Sequence, residues 1–186
     1  MPAPLQAFLF CRLPDLCCMS AIVTKEQVYG WLSTVTDPEV PVLTIEDLGI
    51  VRDVTLTKNS QGETGATITI TPTYSGCPAM DVIALNIRMA LLSRGIKQVT
   101  IENQLSPAWT SDWMSEDGKR KLKEYGIAPP VRKSVDPLFL FEEEKAPCPR
   151  CGSEDTVLTS QFGPTSCKAL YKCTNCHEPF EHFKCH

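Results

Sequence analysis

Apolar positions recur along this chain with two different periods, and each change of period marks an element. From Thr24 the order is helical. Thr24-Lys25-Glu26-Gln27 forms a capping box, Val23 can staple onto Val28, and Val28, Leu32 and Val35 share one face. Asp37-Pro38-Glu39-Val40-Pro41 ends that helix, because proline lacks an amide proton and drives the preceding residue out of the helical region. The period then drops to two: Ile50, Val54 and Leu56 alternate with Val51, Asp53 and Thr55. After a loop at Asn59-Ser60-Gln61-Gly62, Ala66, Ile68 and Ile70 alternate with Thr67, Thr69 and Thr71. Two half-buried strands joined by a short polar loop predict an antiparallel hairpin.

A long apolar segment follows Thr73-Tyr74-Ser75-Gly76-Cys77-Pro78 and runs to Gly95, which predicts a largely buried helix with Pro78 at its first position. Gln98 to Glu102 reads as a third strand. Beyond Trp109 and Trp113, Ser115 caps a helix with Glu116 and Asp117 early and Lys119, Arg120, Lys121 and Lys123 late, an order that suits the helix dipole; Gly126 closes it. The predicted fold class is α+β: a small sheet of about three strands packed with helices, followed, where Cys148-Pro149-Arg150-Cys151 and Cys173-Thr174-Asn175-Cys176 stand at ligand spacing, by a C-terminal zinc ribbon.

At 186 residues the chain has room for one ordinary domain and a small appendage. The expected division is an extension at 1–20, an α+β domain at 21–128, a linker at 129–145 carrying Glu142-Glu143-Glu144, and a ribbon at 146–186. The extension holds an apolar patch, Phe8 to Cys11, with Pro2, Pro4 and Pro14 and no charged leader. It reads as disordered or as a misassigned start, with Met19 an equally good initiator. No apolar run reaches the roughly 18 residues of a membrane span, so a soluble protein is expected, and the lack of an export signal in a cysteine-rich chain points to the reducing cytoplasm. The net charge is −4, and residues 148–186 balance Arg150, Lys168, Lys172 and Lys184 against Glu154, Asp155, Glu178 and Glu181. Such a surface lacks the basic face that a phosphate backbone requires, which argues against nucleic acid as a partner.

Six of the ten cysteines fall in the last 39 residues. Cys148-Pro149-Arg150-Cys151 and Cys173-Thr174-Asn175-Cys176 are paired at ligand spacing, as a four-cysteine zinc site requires. In a reducing compartment that reading is preferred to two disulfides, and four thiolates leave no open position for a catalytic water. A module this small needs the metal to fold. Cys167 and Cys185, with His177, His182 and His186, stand as competing ligands, a second site that could take iron, or packing residues.

With Pro78 opening its helix, Cys77 becomes the N-cap, where free amides and the positive end of the dipole would lower its pKa and make it a reactive or metal-transferring thiol. A cysteine at a helix start also serves simply as a small residue that fits, and both roles stay open. Asp37, Glu39, Glu46 and Asp47 are candidates to support the thiol, or are turn and cap residues.

Asp37-Pro38-Glu39-Val40-Pro41, Asp47-Leu48-Gly49-Ile50-Val51 and Thr71-Pro72-Thr73-Tyr74-Ser75-Gly76-Cys77-Pro78 resemble the SufT-like iron-sulfur maturation (metal-sulfur cluster biosynthesis) domain family, and Cys77 matches its reactive cysteine. With Pro107-Ala108-Trp109-Thr110-Ser111-Asp112-Trp113-Met114, Glu124-Tyr125-Gly126-Ile127-Ala128-Pro129-Pro130 and the ribbon, residues 22 to 186 look like the PaaD family, the D subunits of phenylacetyl-CoA epoxidase. The resemblance implies an iron-sulfur cluster assembly domain-like fold and an accessory role in aerobic phenylacetate degradation. It implies as partners a di-iron oxygenase and an iron-sulfur flavin reductase, with a homodimer also conceivable, and as cargo a transient iron-sulfur cluster or iron. No Glu-x-x-His pair and no Gly-x-Gly-x-x-Gly loop occurs in the chain, so no oxygenase or dinucleotide chemistry of its own is expected. The alternative is a stoichiometric structural subunit that docks through the ribbon and the stretch from Trp109 to Met114.

Overall fold

A computed structural model describes residues 23–131 and 146–184. The extension at 1–20, most of the linker, Cys185 and His186 lie outside them.

Helix α1, Lys25–Leu32, begins at the capping box read from the sequence: the Thr24 hydroxyl accepts from the Gln27 amide, and the Gln27 side chain accepts from the Thr24 amide. Its buried side is Val28 and Leu32. Asp37 then organises the turn that follows, its Oδ1 accepting from the amides of Glu39 at 2.7 Å and Val40 at 2.8 Å.

Strands β1, Val51–Lys58, and β2, Thr64–Ile70, form the expected antiparallel hairpin, with Val54 opposite Ile68 and a bulge between Val51 and Asp53. Ala66, Ile68 and Ile70 point into the core while Thr67 and Thr69 are half-buried, as the alternation requires. Helix α2, Ala79–Leu92, crosses over to β3, Gln98–Asn103, which pairs parallel to β2 and completes a sheet of order β1-β2-β3.

Two expectations for α2 need correction. The helix starts at Ala79 with Pro78 as N-cap, one residue later than the sequence indicated. It is also only half-buried. Ala79, Ile83, Ile87 and Leu91 pack into the core, but Val82, Leu85, Met89 and Leu92 are exposed, Met89 to 62%. The sheet covers one side of the helix and nothing among the described residues covers the other, so apolar residues at i, i+3, i+7 and i+10 form an outward stripe.

Helix α3, Glu116–Tyr125, is capped by the Ser115 hydroxyl and closed by Gly126 at φ +94°. It leads directly into β4, Ile127–Ala128. Strand β4 does not join the first sheet. It pairs parallel with β7, Pro179–Phe183, at the edge of a four-stranded sheet of order β4-β7-β6-β5, where β5 is Thr156–Ser160 and β6 is Lys168–Cys173. Two residues that the sequence grouped with the first module thus belong, by hydrogen bonding, to the ribbon.

A buried ion pair holds α3 in place. The Asp47 carboxylate accepts from the Thr44 amide at 3.0 Å, the Thr44 hydroxyl at 2.9 Å, the Ser115 hydroxyl at 3.0 Å and the Lys121 ammonium at 2.8 Å. Nearby, Gly49 at φ +65° passes so close to Trp113 that a Cβ would meet its carbonyl oxygen, which explains the glycine in Asp47-Leu48-Gly49. Burial alone would push the Asp47 carboxyl up, but the bonds from Lys121, Thr44 and Ser115 outweigh it and hold the group below the usual range.

Replacing Asp47 with alanine strands these donors and should destabilise the fold by about 2–4 kcal/mol, read by urea unfolding. The native carboxyl pKa is lowered, so its stabilisation is complete above the unfolded value of about 3.9 and is lost as pH falls through the lower native value. Unfolding curves taken at acidic pH should show that loss in the unmodified chain and a shallower one in Asp47→Asn.

Candidate functional site

The two Cys-x-x-Cys segments fold as twins. In each, the first cysteine's amide bonds forward to the carbonyl five residues on, Cys148 to Ser153 and Cys173 to Glu178, both at 2.9 Å. In each, the residue after the second cysteine takes a left-handed conformation, Gly152 at φ +75° and His177 at φ +63°. This is the role of His177, at the position equivalent to Gly152. The turns bring the sulfurs together: Cys148 to Cys176 is 3.7 Å, Cys151 to Cys173 is 3.6 Å, and all four lie within 4.8 Å of one another.

These distances fit one tetrahedral zinc. A Zn–S bond of about 2.3 Å sets sulfur–sulfur edges of about 3.8 Å, and an all-thiolate donor set is the structural type. The Cys176 amide, donating to Cys173 Sγ at 3.4 Å, helps bring that thiol down to about 7, whereas Cys176, despite a backbone bond at Glu178, is pushed up to about 12 by desolvation and the neighbouring sulfurs. The core behind the knuckle is small, consisting of Ala128, Ala146, Ala169, Tyr171, Phe180 and the buried Cys148 and Cys173. Such a core cannot stabilise a fold alone, which makes the thiolate–metal bonds the main constraint.

Cys77 lies at the other place that the sequence singled out. It is half-buried, one residue before the N-cap of α2, and packs against the main core. The expectation of a lowered pKa is not met. Burial pushes the thiol above its ordinary value, and the charges of Glu39 and Asp37 add to that; the Ala79 amide and the Tyr74 hydroxyl pull the other way and lose. Tyr74, hydrogen-bonded to Cys77, is itself pushed up to about 12, chiefly by burial. Cys77 is therefore a protonated thiol at neutral pH that a bound cation would deprotonate, rather than a standing thiolate.

The four carboxylates grouped around this thiol in the sequence separate in space. Asp37 and Glu39 act on it. Asp47 is engaged by Thr44, Ser115 and Lys121, and Glu46 is held up by its own burial and by Asp47.

The structure places one of the cysteines that the sequence left open as a further ligand or a packing residue. Cys167 is buried not with the knuckle but in the core of the first module, 4% exposed, with its sulfur 3.7 Å from Glu39 Oε2 and 3.1 Å from the Thr165 hydroxyl. Burial and then the charges of Glu39 and Asp37 push it up to about 11. Its distance in sequence from either Cys-x-x-Cys pair was the only sign that it stood apart. His182 also packs at the junction, buried, with Nδ1 3.2 Å from the Ala128 carbonyl and its ring edge-on to Tyr171. Trp109 does the same from the other side: it is 2% exposed, donates to the Leu48 carbonyl at 2.8 Å and packs edge-on against Phe183 of the ribbon. Met114 is also buried, while Thr110, Ser111 and Trp113 of the same stretch are half-buried and Asp112 is exposed.

Fold and site together define an iron-sulfur-assembly type of α+β domain carrying a zinc β ribbon, and comparison with known proteins agrees. Residues 25–102 match the family described as iron-sulfur cluster assembly protein, and residues 134–184 match the PaaD zinc beta ribbon domain. The chain is 50% identical, over 86% of its length and 92% of the relative's, to the Escherichia coli (strain K12) protein named as the D subunit of a "Putative 1,2-phenylacetyl-CoA epoxidase". It belongs to the family of that D subunit. Over about half its length it is also 39% identical to the Fe-S protein maturation auxiliary factor of Porphyromonas gingivalis, covering 90% of that protein, and 37% identical to the Fe-S protein maturation auxiliary factor YitW of Bacillus subtilis, covering 92%.

Metal analysis of the full chain should find one zinc in the knuckle. Cys173→Ser should lower that content and speed amide hydrogen exchange across β5 to β7, while β1 and β2, which rest on their own apolar core, keep their protection.

Proposed function

We propose that this protein is an accessory maturation factor of a phenylacetyl-CoA epoxidase system. In this reading it assists assembly of an iron-sulfur or di-iron centre in the di-iron oxygenase or the iron-sulfur flavin reductase, in the cytoplasm. Cys77 handles the cargo, Asp37 and Glu39 support it, and Cys148, Cys151, Cys173 and Cys176 hold a structural zinc.

The observation that carries the reading is the setting of Cys77. A half-buried thiol beside two carboxylates holds its proton until a soft cation takes it, which suits temporary custody rather than storage. The relatives divide along the same line: those named as maturation factors match about half of this chain, whereas the one named as an epoxidase subunit matches both modules. A domain shared with maturation factors supplies the chemistry, and the ribbon directs it to one system.

A second reading, a stoichiometric structural subunit without metal transfer, is favoured by one feature. The exposed stripe of Val82, Leu85, Met89 and Leu92 on α2 is the kind of apolar surface that another subunit, or a second copy in a homodimer, could cover.

Cys77→Ser should leave the fold and the ribbon zinc intact and reduce the metal content of the partner oxygenase or reductase severalfold when they are produced together. Full loading of the partners in that background, with a stable equimolar complex on co-purification, would establish the structural reading instead.

A further inference from the structure

The ribbon sends one cysteine across to the other module. Cys167 lies in the turn before β6, and its carbonyl accepts from the Lys184 amide at 2.9 Å, which ties that turn to the end of β7. Its neighbour Ser166 reaches the Tyr74 side chain, and Tyr74 is hydrogen-bonded to Cys77. The sulfur of Cys167 lies against Glu39, and the charges of Glu39 and Asp37 act on both thiols. Ribbon and first module thus put Cys167 against Glu39, with Cys77 linked to the same turn through Tyr74 and Ser166.

Without a cation this grouping has no electrostatic benefit, since each acidic group makes ionisation of the others costlier. A soft divalent cation reverses that. Two thiolates and a carboxylate satisfy it, two thiol protons leave, and a fourth position remains free. Asp37 is not needed as a ligand, because its Oδ1 is already taken by the amides of Glu39 and Val40 and fixes the loop that presents Glu39.

We propose that Cys167, Glu39 and Cys77 form a second, exchangeable site for a soft divalent cation across the seam between the modules, with Cys167 as inner thiol and Cys77 as the outer, half-exposed one. This rests on the reading of Cys77 as the cargo-handling residue and adds its missing second thiol. Among the described residues the four knuckle cysteines are the one group of three or more such ligand atoms gathered within 4.8 Å of one another. The seam site is looser, and the ribbon turn would have to close on the cation to complete it. Fewer ligands, one of them a carboxylate, and an open position distinguish a site that releases from one that retains.

The test uses the full chain with its knuckle zinc in place, under anaerobic conditions, titrated with Co2+ while zinc retention is followed by metal analysis. Sulfur-to-cobalt charge-transfer absorption should appear with one further equivalent. Cys167→Ala and Cys77→Ser should each remove about half of that band and weaken binding by about tenfold or more. Glu39→Gln should weaken binding and leave the band intensity unchanged. In the unmodified chain, which avoids any folding defect of the variants, Co2+ should slow alkylation of Cys167 and Cys77 alike. If Cys167→Ala binds Co2+ with full intensity and unchanged affinity, or if Co2+ protects Cys77 alone, the seam site is overturned while cargo handling at Cys77 stands. If Cys77→Ser also leaves the band unchanged, or the unmodified chain takes up no further cobalt, both are overturned.

Discussion

The joint between β4 and β7 is the constraint on which the rest of the molecule depends. Ile127 and Ala128 follow α3 with no intervening loop and pair in parallel with Glu181 and His182, so the end of the first module is an edge strand of the second. Backbone pairing fixes register, and with it the two side chains that the ribbon inserts into the first module's core, Phe183 and Cys167. Trp109 meets Phe183 from the first module's side, held by its own bond to the Leu48 carbonyl. Asp47 holds α3 through Ser115 and Lys121, so the loop that carries Leu48 and Gly49 also aims the strand that docks the ribbon.

Two cysteine environments result, and they differ for a physical reason. In the knuckle, paired turns of the same geometry converge four sulfurs, with the Cys173 thiol lowered in pKa and the Cys176 thiol raised. Such a set is saturated by one tetrahedral ion and serves to hold a small sheet together. At the seam, burial and neighbouring carboxylates raise the pKa of Cys77 and Cys167, so both stay protonated until something displaces the proton. The same element thus sits once in a converged four-sulfur set and once as isolated, protonated thiols beside carboxylates.

The outward stripe on α2 belongs to the same picture. Its helix starts two residues after Cys77 and presents Val82, Leu85, Met89 and Leu92 to solvent along its length. The four-residue period that buries Ile83, Ile87 and Leu91 leaves those positions outside, because a three-stranded sheet has only one face to offer a helix.

Much of this was legible in the residues themselves. The capping box at Thr24, the alternation in β1 and β2, the Ser115 and Gly126 caps and the paired Cys-x-x-Cys spacing are local signals, decided within a few residues, and they hold in the structure. What the sequence could not decide were quantities summed over distant parts of the chain. It placed Cys77 near the positive end of a helix and inferred a lowered pKa, but the sign was set by desolvation and by Glu39 and Asp37, some forty residues earlier. It grouped four carboxylates by proximity along the chain, and packing sent Asp47 to Lys121 instead. It read an apolar helix as buried, though a period alone does not say how many faces are covered. Above all, it left Cys167 open as a competing ligand, a second-site ligand or a packing residue, while the docking of the ribbon delivered its sulfur to Glu39 in the other module. Local chemistry fixes elements and ligand pairs; only the tertiary arrangement decides which charges a given sulfur meets.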